Sequence, residues 1–238
     1  MDQSFGILFI VATPIGNLND ITFRAVQVLK EASLIAAEDT RRTRGLLTFY
    51  GITTPTTSYH DHNKKQQGEK LTRLLISGKS IALVTDAGTP GIADPGYYLV
   101  NLAIDHGVKV IPIPGASAMV TALSAAGLPT DRFAFEGYVP RKSAARKKFI
   151  QALKDEERTL ILYESPYRIM TTLQDLFEIC GDRWVVVARE LTKVYEEFVR
   201  GALSWVLENW QGKKMKGEFT ILVGSADYSE KRITKSTR

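Results

Sequence analysis

Cysteine is nearly absent from this chain of 238 residues, since Cys180 stands alone. A single cysteine forms no internal disulfide and supplies no C-x-x-C pair, so redox and zinc-cluster functions lose support. Long hydrophobic runs are missing as well, and no segment approaches the roughly 20 apolar residues that span a bilayer. The opening segment has neither the basic stretch nor the cleavage site of a secretory signal. We therefore expect a cytoplasmic protein.

Three motifs of nucleotide and ester chemistry are also missing. The loop after the first predicted strand reads A-T-P-I-G-N instead of G-x-G-x-x-G, and no G-x-x-x-x-G-K-[ST] occurs. The hydrolase motif G-x-S-x-G is absent too. His60-Asp61-His62 has no third ligand nearby and is interpreted as a surface turn, so we predict no metal site.

Charge is placed unevenly along the chain. The net charge of +5 comes from 31 Lys and Arg against 26 Asp and Glu. Residues 1–120 hold 11 basic and 10 acidic residues, a net of +1, and residues 121–238 hold 20 and 16, a net of +4. Basic runs can contact phosphates, although lysines on helices and tails are also often only solvated. The basic runs cover residues 141–148, 213–216 and 231–238.

Apolar runs and amphipathic segments take turns in the first half of the chain. This alternation predicts βαβ units and a mostly parallel sheet. With 44% hydrophobic and 24% charged residues, the composition is that of an ordinary globular protein. The predicted strands cover 7–13, 34–38, 81–85 and 108–113, and the predicted helices cover 21–31, 70–77 and 97–106.

The pattern changes in the second half, where the last two strands lie too close together for crossover helices. A mixed sheet with antiparallel pairs is therefore expected there. The strands are predicted at 133–137, 159–163, 184–189, 198–201 and 218–224, with helices at 144–153, 168–179 and 203–210. We predict an α/β fold with domains at 1–114 and 115–226, a ligand cleft between them, and a disordered basic tail at 227–238.

Loops rich in glycine and proline follow three of the first-half strands. In a parallel sheet these loops lie at one edge, where ligands bind. Glycine lets the backbone approach a ligand and proline stiffens the turn, so the three loops predict a rigid ligand cradle. Asp86 either caps its turn or accepts hydrogen bonds from a ligand. The loops are P-I-G-N-L-N-D (14–20), D-A-G-T-P-G-I-A-D-P-G (86–96) and P-I-P-G-A-S-A (112–118).

Charged segments follow three other strands. E-D-T-R-R-T-R (38–44) is interpreted either as a helix start or as a place where arginines bind phosphate. E-S-P-Y-R (164–168) and R-E-L-T-K (189–193) follow second-half strands in the same way. They are interpreted either as turns that end the strands or as part of a functional site.

Eight segments, in order, resemble the small-subunit ribosomal RNA (cytidine-2'-O)-methyltransferases of the tetrapyrrole methylase superfamily. The resemblance runs from about residue 6 to residue 224, and the eleven residues 86–96 are highly specific. The segments are A-T-P-I-G-N-L-N-D-I-T, A-E-D-T-R-R-T, D-A-G-T-P-G-I-A-D-P-G, P-G-A-S-A, A-A-G-L-P-T-D-R-F-A-F-E-G-Y-V-P, Y-E-S-P-Y-R, A-R-E-L-T-K and K-G-E-F.

The resemblance implies a two-domain tetrapyrrole-methylase-like fold, a homodimer, S-adenosylmethionine bound in the cleft, and methylation of a cytidine 2'-hydroxyl in 16S ribosomal RNA. It also implies which residues contact the cofactor. By position these are Pro14, Val84, Asp86, Thr89, Ser117 and Ala118 in the first half and Glu164 and Gly201 in the second.

A ribose hydroxyl is a poor nucleophile at neutral pH, so a base or a strongly orienting acceptor is expected near it. The candidates are Glu38, Asp39, Glu164, Glu190 and Lys193, and the sequence does not choose among them. We predict that Glu190 and Lys193 lie near the acceptor, where a lysine acts as a base only if its pKa is depressed.

RNA recognition is expected to combine basic side chains on phosphates with aromatic rings on unstacked bases. The predicted phosphate contacts are Arg41, Arg42, Arg44, Arg141 and Lys142, with Tyr138 or Tyr167 as stacking partners. Two alternatives share parts of this picture. One is a methyltransferase acting on a small tetrapyrrole, and the other is a non-catalytic RNA-binding assembly factor.

Overall fold

The computed structural model describes residues 5–236, and the chain divides between Ser117 and Ala118 into two units, each with its own five-stranded sheet. The first unit alternates strands and helices along the chain. Its elements are β1 (Ile7–Val11), α1 (Phe23–Glu31), β2 (Leu34–Ala37), α2 (Thr40–Phe49), β3 (Thr56–Ser58), α3 (Lys64–Ile76), β4 (Ile81–Val84), α4 (Gly96–Asp105) and β5 (Lys109–Ile113).

The first sheet has the strand order β3-β2-β4-β1-β5, and every neighbouring pair is parallel. Side chains alternate across it, so Ala36 and Leu83 pack toward α3 and α4 while Ile35 and Ala82 pack toward α1. Both faces are covered by helices, which explains why β2 and β4 read as continuous apolar runs. The predicted parallel sheet is confirmed.

The second unit contains a mixed sheet. Its elements are α5 (Ala118–Ala126), β6 (Phe133–Tyr138), α6 (Ser143–Ala152), β7 (Thr159–Glu164), α7 (Ile169–Cys180), β8 (Trp184–Arg189), β9 (Glu197–Ala202), α8 (Leu203–Trp210), β10 (Phe219–Val223) and α9 (Ala226–Ser236). The strand order of the sheet is β6-β7-β10-β8-β9, in which β6 and β7 are parallel and the other pairs are antiparallel. Residues 190–196 join β8 to β9, too short a connection for a crossover helix, so that pair is antiparallel. The expected mixed sheet is confirmed, but its stated reason is wrong, because α8 joins the last two strands, β9 and β10, and these are not neighbours in the sheet.

Several elements depart from the sequence prediction. The edge strand β3 and the alanine-rich α5 were not predicted, since one is short and polar and the other shows no helical period. α3 begins at Lys64 instead of residue 70, because its first turn is polar and gives no hydrophobic signal.

The basic tail is helical within the described residues, so its predicted disorder is wrong there. Long-range contacts order α9: the Tyr228 hydroxyl donates to the Gly127 carbonyl at 2.8 Å, and the Arg232 guanidinium lies 5.3 Å from the centre of the Trp184 ring. Residues 237–238 of the predicted tail and residues 1–4 of the predicted first domain lie outside the described residues. Within residues 5–236, no helix is long and apolar enough to cross a membrane.

Candidate functional site

The loops after β1 and β4 are joined at the carboxyl edge of the first sheet. The Thr13 amide donates to the Gly88 carbonyl at 2.9 Å, and the Gly88 amide donates back to the Thr13 carbonyl at 3.0 Å. The Thr13 hydroxyl also donates to the Thr85 carbonyl at 3.1 Å. These bonds hold two backbone segments in one antiparallel bridge.

The loop after β5 lies against the same place. The Thr89 hydroxyl donates to the Ala116 carbonyl at 3.2 Å. A Cβ atom on Gly115 would lie only 2.9 Å from the Cβ of Ala12, so glycine is required for this close approach. The prediction that the three glycine- and proline-rich loops share one sheet edge is therefore confirmed.

Asp94 closes the end of the 86–96 loop. Its Oδ1 accepts hydrogen bonds from the amides of Gly91 at 2.8 Å and Gly96 at 2.7 Å. Ala93 is held at φ +64°, a conformation that non-glycine residues seldom adopt. Burial raises the pKa of Asp94, and its buried Oδ2 has no hydrogen-bond partner among the described residues.

Sequence reasoning missed Asp94 as a site residue. The available signal was a carboxylate directly before the Pro95-Gly96 turn and close to Gly91, where it could accept from exposed amides. Tyr59, directly after β3, supports the same turn by donating from its hydroxyl to the Pro95 carbonyl at 3.3 Å.

Asp86 and Glu38 connect the ends of β4 and β2. Glu38 Oε2 accepts from the Thr85 hydroxyl at 2.6 Å and from the Asp86 amide at 3.4 Å. Asp86 Oδ1 accepts from the Asp39 amide at 3.0 Å, and Asp86 Oδ2 pairs with Arg42 Nη1 at 3.2 Å. Burial and the nearby Glu38 carboxylate raise the pKa of Asp86, against the opposing effect of Arg42.

The segment 38–44 follows β2 and forms the start of α2, as one of its two interpretations predicted. The N-cap is Asp39, whose carboxylate accepts from the Arg41 amide at 2.8 Å. The same carboxylate binds the Arg41 side chain, which lowers the pKa of Asp39 to about 2. Arg44 lies exposed on the helix.

The remaining first-half candidates fall at or beside this edge. Pro14 follows the bridging Thr13, and Val84 is the buried last residue of β4. Ser117 is the last residue of the first unit, while Ala118 begins α5 in the second.

Glu164, at the end of β7, is buried with its carboxylate fully engaged. Its Oε1 pairs with Arg168 Nη2 at 2.7 Å and accepts from the Ser165 amide at 2.7 Å, and its Oε2 accepts from the Thr172 hydroxyl at 2.7 Å. These bonds anchor the turn into α7, so the side chain has a structural role and is not displayed to solvent. Gly201 in β9 is packed in a comparable way, since a Cβ there would lie 2.7 Å from the Trp205 ring.

Glu190 and Lys193 lie together after β8, and their predicted place near the acceptor stays a prediction. Lys193 Nζ lies 2.8 Å from Glu190 Oε1 and 3.0 Å from Glu218 Oε2. Burial favours neutral lysine, but the hydrogen bonds to the two carboxylates outweigh it and raise the pKa of Lys193. Burial likewise opposes ionisation of Glu190, but hydrogen bonds from Lys193 and from the Glu218 amide lower the pKa of Glu190 overall.

The Glu190 turn is conformationally demanding. Glu190 has φ +50° and Thr192 has φ +66°, both in the left-handed region. A Cβ on Gly217 would lie within 2.6 Å of the Glu190 carboxyl group, so this side chain needs glycine beside it. Strain of this kind tends to collect at functional sites.

Aromatic and basic side chains are exposed at the same edge of the second sheet as Glu190. The strands β6, β7 and β8 run in one direction and so end at one edge. Tyr138 ends β6, and Tyr167, which is 94% exposed, follows β7. Arg141 and Lys142 lie exposed in the turn after β6.

The first-unit edge fits an adenosyl cofactor of the kind that the resemblance implies. Asp86 Oδ1 accepts one described hydrogen bond and Oδ2 has one described ion-pair partner, which leaves acceptor capacity for ligand hydroxyls. Gly115 brings the backbone into close contact beside it. Among residues 5–236, no three His, Cys, Asp or Glu side chains are placed to hold a metal ion.

Comparisons with known proteins match this picture. The model of the family Tetrapyrrole (Corrin/Porphyrin) Methylases matches residues 8–206. The protein named Ribosomal RNA small subunit methyltransferase I from Halalkalibacterium halodurans is 53% identical over 218 residues, covering 92% of this chain and 75% of its own.

Solved structures share the fold. Diphthine synthase superposes with a TM-score of 0.71 at 16% identity, covering 97% of this chain and 95% of its own. The uroporphyrin-III C-methyl transferase from Thermus thermophilus complexed with S-adenyl homocysteine has a TM-score of 0.63 at 18% identity. The match covers 91% of this chain and 97% of that protein's chain. At such identities these structures support the fold alone.

Proposed function

The chain belongs to the tetrapyrrole (corrin/porphyrin) methylase family, and we propose that it transfers a methyl group from S-adenosylmethionine to ribosomal RNA of the small subunit. The observation that carries this proposal is the 53% identity, over 92% of the chain, to a protein named for that reaction. The fold by itself would not choose the substrate, because one fold serves many functions.

The acceptor we propose is the 2'-hydroxyl of a cytidine in 16S ribosomal RNA. The eight motifs of the resemblance support it, and the basic second half suits a phosphate-rich substrate. We further propose that the protein works in the cytoplasm as a homodimer. The homodimer rests on the resemblance, and the cytoplasmic location rests on relatives named for a reaction on ribosomal RNA.

We assign the cofactor to the joined loops of the first unit. Asp86 would accept hydrogen bonds from cofactor hydroxyls, while Pro14, Val84 and Thr89 would contribute backbone contacts. Ser117 and Ala118 complete the proposed set. Glu164 and Gly201 remain proposed contacts, and for Glu164 only backbone atoms are proposed because its hydrogen-bonded carboxylate is fully buried.

When bound, S-adenosylmethionine supplies an activated methyl group on a sulfonium. The residues of this chain therefore have to orient the acceptor hydroxyl and stabilise the loss of its proton. Within the proposed catalytic pair, Lys193 is held cationic by its two carboxylate partners and is unsuited to accept a proton. Glu190 is ionised, and its Oε1 carries both described hydrogen bonds, so Oε2 is left to accept the acceptor hydroxyl. We therefore assign orientation of the acceptor hydroxyl to Glu190, with Lys193 fixing its carboxylate. The same contacts lower the pKa of Glu190 and so make it a weak base.

RNA phosphates are proposed to bind Arg41, Arg42, Arg44, Arg141 and Lys142. Arg44, Arg141 and Lys142 are exposed. Arg41 and Arg42 are exposed as well but already pair with Asp39 and Asp86. Tyr138 or Tyr167 would stack on an unpaired base.

The test uses the purified protein with methyl-labelled S-adenosylmethionine and substrate from a strain lacking the modification. Small ribosomal subunits and naked ribosomal RNA are offered separately, and the label is mapped by nuclease digestion. We expect label on one cytidine 2'-oxygen. Measurable cofactor binding without labelled RNA would contradict the proposal, and a porphyrin precursor offered in parallel would reveal a tetrapyrrole acceptor.

A further inference from the structure

The first turns of α2 carry three arginines at the end of a helix where positive charge is unfavourable. Backbone amides point outward at a helix N-terminus and give it a partial positive charge, which favours acidic side chains. Arg41 and Arg42 stand two and three residues after the N-cap, Asp39. Their presence therefore needs a reason outside the helix itself.

Asp86 supplies that reason for Arg42. In a capping box, an acidic side chain three residues after the N-cap accepts from the amide of the N-cap residue. In α2 the residue three positions after the N-cap is Arg42, whose side chain has no acceptor atom. Asp86, from the loop after β4, takes over this role, because its Oδ1 accepts from the Asp39 amide at 3.0 Å. Its Oδ2 then lies 3.2 Å from Arg42 Nη1. The helix start and the loop are thus joined through one carboxylate.

We propose that Arg42 is a positioning residue of the cofactor site, which orients the Asp86 carboxylate for ligand hydroxyls, in addition to the phosphate contact proposed above. This deepens the proposed function, because it rests on Asp86 as a cofactor contact. The Arg42 side chain is 71% exposed and that of Asp86 is 24% exposed, so the pair lies at the surface of the loop edge, where a ligand can reach the carboxylate.

Three charged groups face Asp86 from the elements around it. Glu38, at the end of β2, repels its negative charge, and Asp39 adds to that repulsion while its amide donates to Asp86. Arg42 is the cation among them and lowers the pKa of Asp86. Without Arg42, Asp86 would be held by the backbone amide alone, beside two like charges.

The experiment measures binding of S-adenosylhomocysteine to the full chain by calorimetry, without RNA, from pH 5 to 8. Arg42→Gln is compared with Arg44→Gln, which removes the same charge from the same helix but not from Asp86. We expect Arg42→Gln to weaken binding about two- to fivefold at neutral pH, the range of a partly exposed ion pair, and Arg44→Gln to bind as the wild type does.

The pH profile separates positioning from a general loss of structure. Losing Arg42 raises the pKa of Asp86, so the weakening of binding on acidification begins at a higher pH in Arg42→Gln. Arg42→Lys keeps the charge and should restore most of that profile. Thermal unfolding of each variant checks that α2 remains folded.

The outcomes distinguish this inference from the proposed function. If Asp86→Asn binds S-adenosylhomocysteine as tightly as the wild type, the cofactor assignment is wrong and the role of Arg42 is lost with it. If Asp86→Asn binds weakly but Arg42→Gln matches Arg44→Gln in affinity and pH profile, only the role of Arg42 is overturned.

Discussion

Asp94 shows how one side chain shapes a ligand loop. Its Oδ1 accepts from the amides of Gly91 and Gly96, which bends residues 91–96 into a closed turn that includes Ala93 at positive φ. Both amides would otherwise lie unpaired in a partly buried turn, which is costly. The carboxylate therefore maintains the backbone of the 86–96 loop.

We expect Asp94→Ala to lower the free energy of unfolding by about 1–3 kcal/mol, because two amides lose their acceptor. Binding of S-adenosylhomocysteine should weaken with it, since the turn belongs to the proposed cofactor loop. Urea unfolding and calorimetry measure the two effects. The matched control is Asp105→Ala at the exposed end of α4, and equal behaviour of the two variants would contradict the role of Asp94.

At the scale of elements, α6 and α7 are joined by an ion pair inside the second unit. Arg146 Nε lies 2.6 Å from Asp175 Oδ2, and both side chains are only 5% exposed. Lys147 adds a weaker, more exposed contact to the same carboxylate at 3.4 Å. The basic run at 141–148 is therefore not uniform, because Arg146 faces the interior while its neighbours face solvent.

Removing one partner of this pair leaves the other charge buried and unpaired. Asp175→Ala should therefore lower the free energy of unfolding by about 3–5 kcal/mol. Lys147→Ala, which affects a half-exposed member of the cluster, should change it by less than about 1 kcal/mol. Urea unfolding compares the two, and a small effect of Asp175→Ala would show that the pair contributes little.

At the scale of the whole molecule, the two units differ in sheet type and in charge. The first carries the joined loops on a parallel sheet, and the second, with most of the basic excess, carries the exposed Arg141, Lys142 and Tyr167. We expect the first unit to be specialised for the cofactor and the second for RNA phosphate and bases.

The double variant Arg141→Gln, Lys142→Gln tests this division. RNA affinity should fall, and the salt dependence of log K should flatten by about 0.7 for each lost contact to a single-stranded phosphate. Binding of S-adenosylhomocysteine should stay unchanged. Titrations of labelled RNA at several salt concentrations measure the RNA affinity and its salt dependence, and calorimetry measures the binding of S-adenosylhomocysteine. An unchanged salt slope would show that these side chains do not contact phosphate.

Local sequence determined the α/β class, most strands and helices, and the arrangement of three glycine- and proline-rich loops at one sheet edge. These follow from hydrophobic period and turn chemistry, which involve neighbours in the chain. Two helices were missed: α5 shows no helical period, and α9, in the basic tail, is ordered by contacts of Tyr228 and Arg232 with distant residues.

Only the tertiary structure decided the charge state of the charged side chains and which of them are available to contact a ligand. Asp39 and Asp86 lie 47 positions apart in the chain, and the register of β2 against β4 brings them together with Arg42. Likewise, Lys193 was a candidate base until Glu190 and Glu218 were found to hold it cationic. The reason is physical: the charge state and availability of a side chain depend on burial and on partners that folding brings from elsewhere in the chain.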